Sequence, residues 1–279
     1  MFVDDALAIW WVFPVAVGVA SLALSTGISG ALFFAPFFLL VVGLDPAQAI
    51  GAGLMTELFG TSFATYNYAR QGVIDLAFAK AMLIVTVPLG MVGAALALII
   101  DAGALQLIFG GTMVLLALVV LRSSLRMQQG GAASLAAAGA PITVIRARDG
   151  QEYTYAIGDK RVGLSLCAIG AVLTGLMSAG LPEINTTQLM ARYRLPPRVA
   201  VATSIMVLTV TVFFAVGIHA IAGEPAWHVV VWSIPGVILG AQIGPRLQRI
   251  VPPRLAERLM AAVFVGVGAL VIVVEISKT

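Results

Sequence analysis

Four consecutive polar residues, Asn185-Thr186-Thr187-Gln188, interrupt a stretch that is otherwise apolar. They follow TGLMSAGLP at 174–182, and a related run, TGISGALFFAP, occupies 26–36. Glycine accepts backbone conformations outside the helix, and proline suits a first helical turn. Each run therefore reads as an extended break, over 27–35 and 175–181, with a short helix starting at Pro36 or Pro182. From Pro36 to Gly43 the helix is about 12 Å long, enough to run from mid-membrane to one surface. A break exposes amide N–H groups, and the helix start carries partial positive charge, so the pair makes an anion site without a basic side chain. The substrate-binding candidates are Gly27, Ser29, Gly30 and Pro36 on the first run. On or beside the second they are Ser178, Ala179, Gly180, Asn185, Thr186, Gln188, Thr203 and Ser204.

Two acids bear on proton coupling. Glu57 lies about ten residues from either end of an apolar run, where a buried carboxyl favours its neutral form and can take up and release a proton. Glu183 falls in the first turn of the second short helix. There it could cap the positive end, stay protonated, point outward or bind a cation, and the sequence leaves these open. His219 and His228 lie toward segment ends, where a solvated or hydrogen-bonded imidazole is the ordinary outcome. No HExxH, Walker or other metal-ligand spacing is present, so no catalytic residue, metal or cofactor is expected. Gly27-Ile28-Ser29-Gly30 matches the GxSG nucleophile motif of intramembrane serine proteases, a weak signal in a glycine-rich chain. The single cysteine, Cys167, reads as a small buried hydrophobe.

The elements that must position these residues follow from composition. Of 279 residues, 60% are hydrophobic and only 10% are charged; the mean hydropathy is +1.03. A soluble domain carries about 25% charge, so this is an all-α integral membrane protein with the lipid bilayer as its solvent. The net charge of +3 does not suggest nucleic acid, because the basic residues fall in short gaps between apolar runs. Long apolar runs cover 6–26, 47–69, 73–100, 103–121, 162–180, 199–222, 226–245 and 255–275, with shorter pieces at 31–43 and 182–192. The N-terminal run has no basic flank and reads as a signal-anchor helix. Alternating through ten segments puts every Lys and Arg except Lys278 on one side. That side is cytoplasmic, which leaves both termini outside in a cell inner membrane. Trp10, Trp11 and Trp227 then fall at the outer interface, and Tyr66, Tyr68 and Tyr193 toward the inner one.

The two halves repeat. LDPAQAIGAGL at 44–54 matches LPPRVAVATSI at 195–205, and Pro88-x4-Gly93-Ala94 matches Pro235-x4-Gly240-Ala241. Five segments per half make the second half enter from the opposite side, the inverted-topology repeat of many secondary transporters. The expected domains are a transmembrane repeat at 1–123, a cytoplasmic linker at 124–161 and an inverted repeat at 162–279. Gln128–Pro141 is small and Gly/Ala-rich and reads as flexible. In the rest of the linker, apolar residues alternate around Asp149-Gly150, predicting a β-hairpin at 142–157 that serves as a connector.

Two stretches, AVATSIMVLTVTVFFAVGIHAIAG at 200–223 and IPGVILGAQIGPRLQRIVPPRLAERLMA at 234–261, resemble the C-terminal half of the sulfite exporter TauE/SafE family. YARQGVIDLAFAKAMLIVTVPLGMVGA at 68–94 resembles its N-terminal half. The family's Gly-Thr-Ser falls on Ala202-Thr203-Ser204 in the second half and on Gly51-Ala52-Gly53, without hydroxyls, in the first. Its glycine-rich breaks fall on Gly27–Ala31 and Gly175–Ala179. The resemblance implies export or uptake of sulfite, sulfonates or related small anions. The reading is a non-enzymatic secondary transporter, with a non-transporting membrane scaffold and the GxSG protease as alternatives.

Overall fold

The computed structural model describes residues 7–26, 30–126, 142–222, 226–247 and 253–276. Among them are ten helical segments and one hairpin. The first five are α1 (Val12–Thr26), α2 (Ala31–Phe37, continued as a π-helix over Phe38–Val42), α3 (Pro46–Gln71), α4 (Leu76–Ile99) and α5 (Ala102–Arg126). Strands β1 (Ile142–Arg146) and β2 (Glu152–Ala156) follow. The rest are α6 (Arg161–Met177), α7 (Leu181–Ala191), α8 (Pro197–Ala222), α9 (Trp227–Leu247) and α10 (Pro253–Ile276). Eight are long and two, α2 and α7, are short, as the apolar runs predict. Helices α4 and α8 are individually long and apolar enough to cross a membrane, with mean hydropathy 2.4. Helix α3 matches them in length but carries Thr56, Glu57, Thr61, Thr65 and Asn67.

Helix α1 packs along α9, and α4 packs along α6. Helix α5 pairs with α10, and α3 with α8. Exchanging each first-half helix for its counterpart five places on maps this set of pairings onto itself. The repeated Gly-Ala landmarks make the first two pairings possible. A Cβ on Gly93 of α4 would strike the Val172 carbonyl of α6, and one on Gly240 of α9 would lie 2.8 Å from the Val17 carbonyl of α1. At both places the backbones approach more closely than a side chain allows. Ile84, Ile99 and Ile221 are 77%, 78% and 87% exposed on the outer surface, which suits hydrocarbon and not water.

Four expectations change. Helix α2 starts at Ala31, not at Pro36, and the first proline lies inside it. At the sixth helical position proline withholds an amide that the ladder needs, and the helix widens into the π turn at Phe38–Val42 before Gly43 (φ 80°) ends it. The second break is shorter than 175–181: Thr174 to Met177 are helical, and only Ser178, Ala179 and Gly180 lie outside. Gly175 serves packing, because its missing side chain admits the Gly90 backbone of α4. Tyr193 does not belong to an aromatic belt. It is buried edge-on to Phe78, with its hydroxyl donating to the Asp159 carbonyl.

The hairpin forms as predicted, antiparallel with Thr143 opposite Tyr155, and turns at Asp149-Gly150 with Gly150 at φ 85°. The stretch read as flexible, 128–141, lies outside the described residues.

Candidate functional site

Helix α3 is the axis of the site. Ile50, Gly53 and Glu57 follow one another at three- and four-residue spacing on one face. Gly53 is crowded from both halves of the chain. A Cβ there would lie 3.2 Å from the Ala35 Cβ and 3.3 Å from the Ala35 amide nitrogen on α2. It would also lie 3.3 Å from Ser178 Oγ in the second break. Ser178, fully buried at φ 63°, donates its hydroxyl to the Ile50 carbonyl at 2.9 Å. The second break and the first short helix therefore meet across one turn of α3.

One turn further along that face, Glu57 (4% exposed) lines a small, partly open cavity with Ala20, Gly30, Phe34, Thr56, Gly60, Thr61 and Val237. Gly30, the residue just before α2, is part of its wall. The Thr56 and Ser233 hydroxyls bond each other at 2.6 Å beside it, and Thr61 donates to the Glu57 carbonyl. The arrangement offers hydroxyl groups and one carboxyl in an apolar wall, and among the described residues no Lys or Arg lines it.

The second break satisfies most of its own donors. The Ser178 amide donates to the Thr174 carbonyl at 2.7 Å, and the Leu181 amide to the Thr174 hydroxyl at 2.8 Å. The Gly180 amide donates to Glu183 Oε2 at 3.1 Å. Glu183 (4% exposed) thus caps the start of α7 and does not point outward. Pro182 takes its expected place in the first turn. Ser204 stands 3.5 Å from the Pro182 carbonyl.

The other candidates face elsewhere. Asn185 and Gln188 turn toward α6 and α4. Gln188 Nε2 reaches the Gly163 carbonyl, Cys167 Sγ and Asn185 Oδ1 at 3.1, 2.9 and 3.1 Å. Asn185 Nδ2 lies 3.6 Å from Met82 Sδ. Cys167 is buried, as expected, but bonded within this cluster. Thr186 is half-buried on α7. The Thr203 hydroxyl accepts from the Asp75 amide at 3.0 Å, on the hairpin side. Gly27 and Ser29 lie outside the described residues.

His219 is more deeply buried than a position near a segment end suggests. It lies in the last turn of α8, as expected, but is 7% exposed, so of the two expected outcomes it is the hydrogen-bonded and not the solvated one. Its ring lies against Gly51 and bonds the Gly175 backbone. Its Nε2 has no hydrogen-bond partner among the described residues. The available sequence signal was its place on the face of α8 that also carries Leu208, Val212 and Ala215, all buried.

Ten helices among the described residues, two of them short, with an exposed apolar surface are the build of a membrane protein. Comparisons with known proteins narrow the class. The family described as sulfite exporter TauE/SafE matches residues 12–271, and the chain belongs to that family. It is similar to the "Probable membrane transporter protein YunE" of Bacillus subtilis (strain 168), 24% identical over 226 residues that cover 81% of this chain and 80% of the relative. It is also similar to the "Probable membrane transporter protein ORF9" of a Sinorhizobium species, 31% identical over 80 residues, covering 29% of this chain and 31% of the relative. No solved structure matches. The protein is a membrane transporter of this family.

Proposed function

We propose that the protein is a secondary transporter that moves a small anion, sulfite or an organosulfonate, by alternating access between two inverted five-helix repeats. The observation that carries the reading is the meeting of the second break and the first short helix at Gly53, one turn from the cavity that Gly30 and Glu57 line. Gly30 and the hydroxyl-bearing Thr56 and Thr61 line that cavity. Ser178 and Ser204 hold the second short helix against it. Self-exchange of the helix pairings supports the repeat, because two copies related by an axis in the membrane plane pair in that way.

A dianion or monoanion beside Glu57 is tolerated only when the carboxyl carries a proton, since two like charges in an apolar wall repel strongly. Glu57 therefore couples anion binding to proton uptake. Glu183, engaged at the Gly180 amide, holds the break closed on itself. The membrane is the cell inner membrane, with the hairpin on the cytoplasmic side and both termini outside, as the Lys and Arg distribution supports.

The test is uptake of labelled sulfite and of organosulfonates into proteoliposomes, by wild-type protein and by Glu57→Gln and Ser178→Ala. Saturable uptake that Ser178→Ala weakens, and whose pH dependence Glu57→Gln abolishes, is expected. Anion-independent, non-saturable leakage unaffected by either change would overturn the reading and favour a membrane scaffold.

A further inference from the structure

Resting on the transporter reading, we propose that the β-hairpin is a strap between the two halves of the chain. In this role Tyr155 and Arg198 are positioning residues that hold the hairpin side of the protein closed.

A passive connector would bond its own neighbours in sequence. This hairpin reaches far in both directions. The Tyr155 hydroxyl, 1% exposed, donates to Asp75 Oδ2 at 2.7 Å, 80 residues back along the chain. The other oxygen of the same carboxylate caps α4 by accepting from the Phe78 amide at 2.9 Å. The Asp75 amide donates to the Thr203 hydroxyl on α8. Asp75 is thus a joint of three pieces: the α3–α4 turn, the hairpin and α8.

Arg198 makes a second joint. Its Nη1 lies 2.6 Å from Asp149 Oδ2 at the hairpin turn and 3.2 Å from the Tyr153 hydroxyl. Its Nη2 donates to Gln71 Oε1, at the end of α3, at 2.7 Å. The planar guanidinium offers its donors in a fixed fork, so one side chain fixes the angle between these elements. The hairpin backbone adds to this, with the Arg148 amide donating to the Gln71 carbonyl at 3.0 Å. Val73, Ala147 and Ala202, one from each piece, are buried together between the joints.

The strap therefore holds Gln71–Asp75 of the first half against Arg198–Thr203 of the second. Any rocking that opens this side must part those two segments. Arg198 precedes Ser204 by six residues, about 9 Å of helix, and Ser204 faces the Pro182 carbonyl. Release of the strap is thus felt at the start of α7.

The experiment places spin labels at Ala69 and Arg192, exposed positions of the first and second halves, and measures their separation by pulsed electron resonance in nanodiscs. It compares the wild type with Tyr155→Phe and Asp149→Asn. Tyr155→Phe strands a buried carboxylate oxygen and is expected to raise the proportion of a longer-distance population by about tenfold or more. Asp149→Asn, which alters an exposed pair, is expected to raise it less. Distance distributions identical to wild type in both variants would overturn the strap. Should Tyr155→Phe fail to fold, Asp149→Asn decides alone, because its site is on the surface. The distances need no substrate. Altered distances without wild-type sulfite uptake would therefore count against the proposed substrate and leave the strap standing.

Discussion

Gly53 gives the sharpest perturbation, because a single methyl group there would touch both halves of the chain. Its nearest neighbours would stand 3.2 to 3.3 Å from an added Cβ, a few tenths of an ångström inside ordinary contact. One of them is the Ala35 backbone nitrogen, which cannot swing aside. Two contributions oppose each other in Gly53→Ala. Alanine is favoured over glycine in a helix interior by about 1 kcal/mol, while overpacking a tight junction costs about 1–3 kcal/mol. The net effect on stability is a loss of about 0–2 kcal/mol. Gly217 on α8 is the matched control, since a Cβ there meets nothing within 4 Å. Gly217→Ala should keep the whole propensity gain of about 1 kcal/mol. Function should separate the pair further. If the crowding falls on one access state alone, a penalty of 1–3 kcal/mol shifts the balance of states by about 5- to 150-fold. The assay is labelled sulfite uptake into proteoliposomes, paired with thermal unfolding in detergent. Gly53→Ala is expected to slow uptake at least severalfold and Gly217→Ala to leave it intact. If both variants gain stability alike and transport like wild type, the junction does not move in the cycle and the reasoning fails.

Further outcomes follow from the same geometry. Glu57→Gln should leave uptake measurable but flatten its dependence on pH, read as initial rates across a pH series. Gly93→Ala drives a methyl onto the Val172 carbonyl and should cost about 1–3 kcal/mol, seen as a lower unfolding temperature. Asn185→Leu strips partners from Gln188 and Cys167 and should cost about 1–3 kcal/mol by the same measurement. The Arg198 guanidinium, by its hydrogen bond, holds the Asp149 carboxyl below the usual aspartate range. Its folded pKa is depressed, so the contribution of the pair is present above the ordinary aspartate value and is lost as pH falls through the lowered one. Hairpin amide exchange should therefore be constant from pH 5 to 8 once corrected for intrinsic rates, and a hairpin that loosens already at pH 5 would contradict this.

Much of the scaffold is written in apolar run length. Ten segments, the hairpin and the turn at Asp149-Gly150 follow from periodicity, because each depends on residues near in sequence. Pro182 and Glu183, adjacent in sequence, likewise mark the start of α7. Pro36 misled because a proline is read as a helix start, whereas here a π turn absorbs its missing amide. The neighbours of the polar candidates were not legible for a different reason. Asn185 and Gln188 sit on α7 where the sequence puts them, but which neighbour a polar side chain meets depends on how α4 and α6 cross. That crossing is set by Gly90, Gly93 and Gly175 together, and no single run encodes it. The burial of His219 and the bond between Tyr155 and Asp75 are long-range in the same sense.

The most direct measurement is to locate a bound anion. Crystals grown with selenite, a heavy analogue of sulfite, would show it by anomalous diffraction. A peak in the cavity bounded by Gly30, Thr56 and Glu57, abolished by Gly53→Leu, is the expected result. A peak confined to the exterior, or one lodged elsewhere in the interior and indifferent to that substitution, would contradict the account.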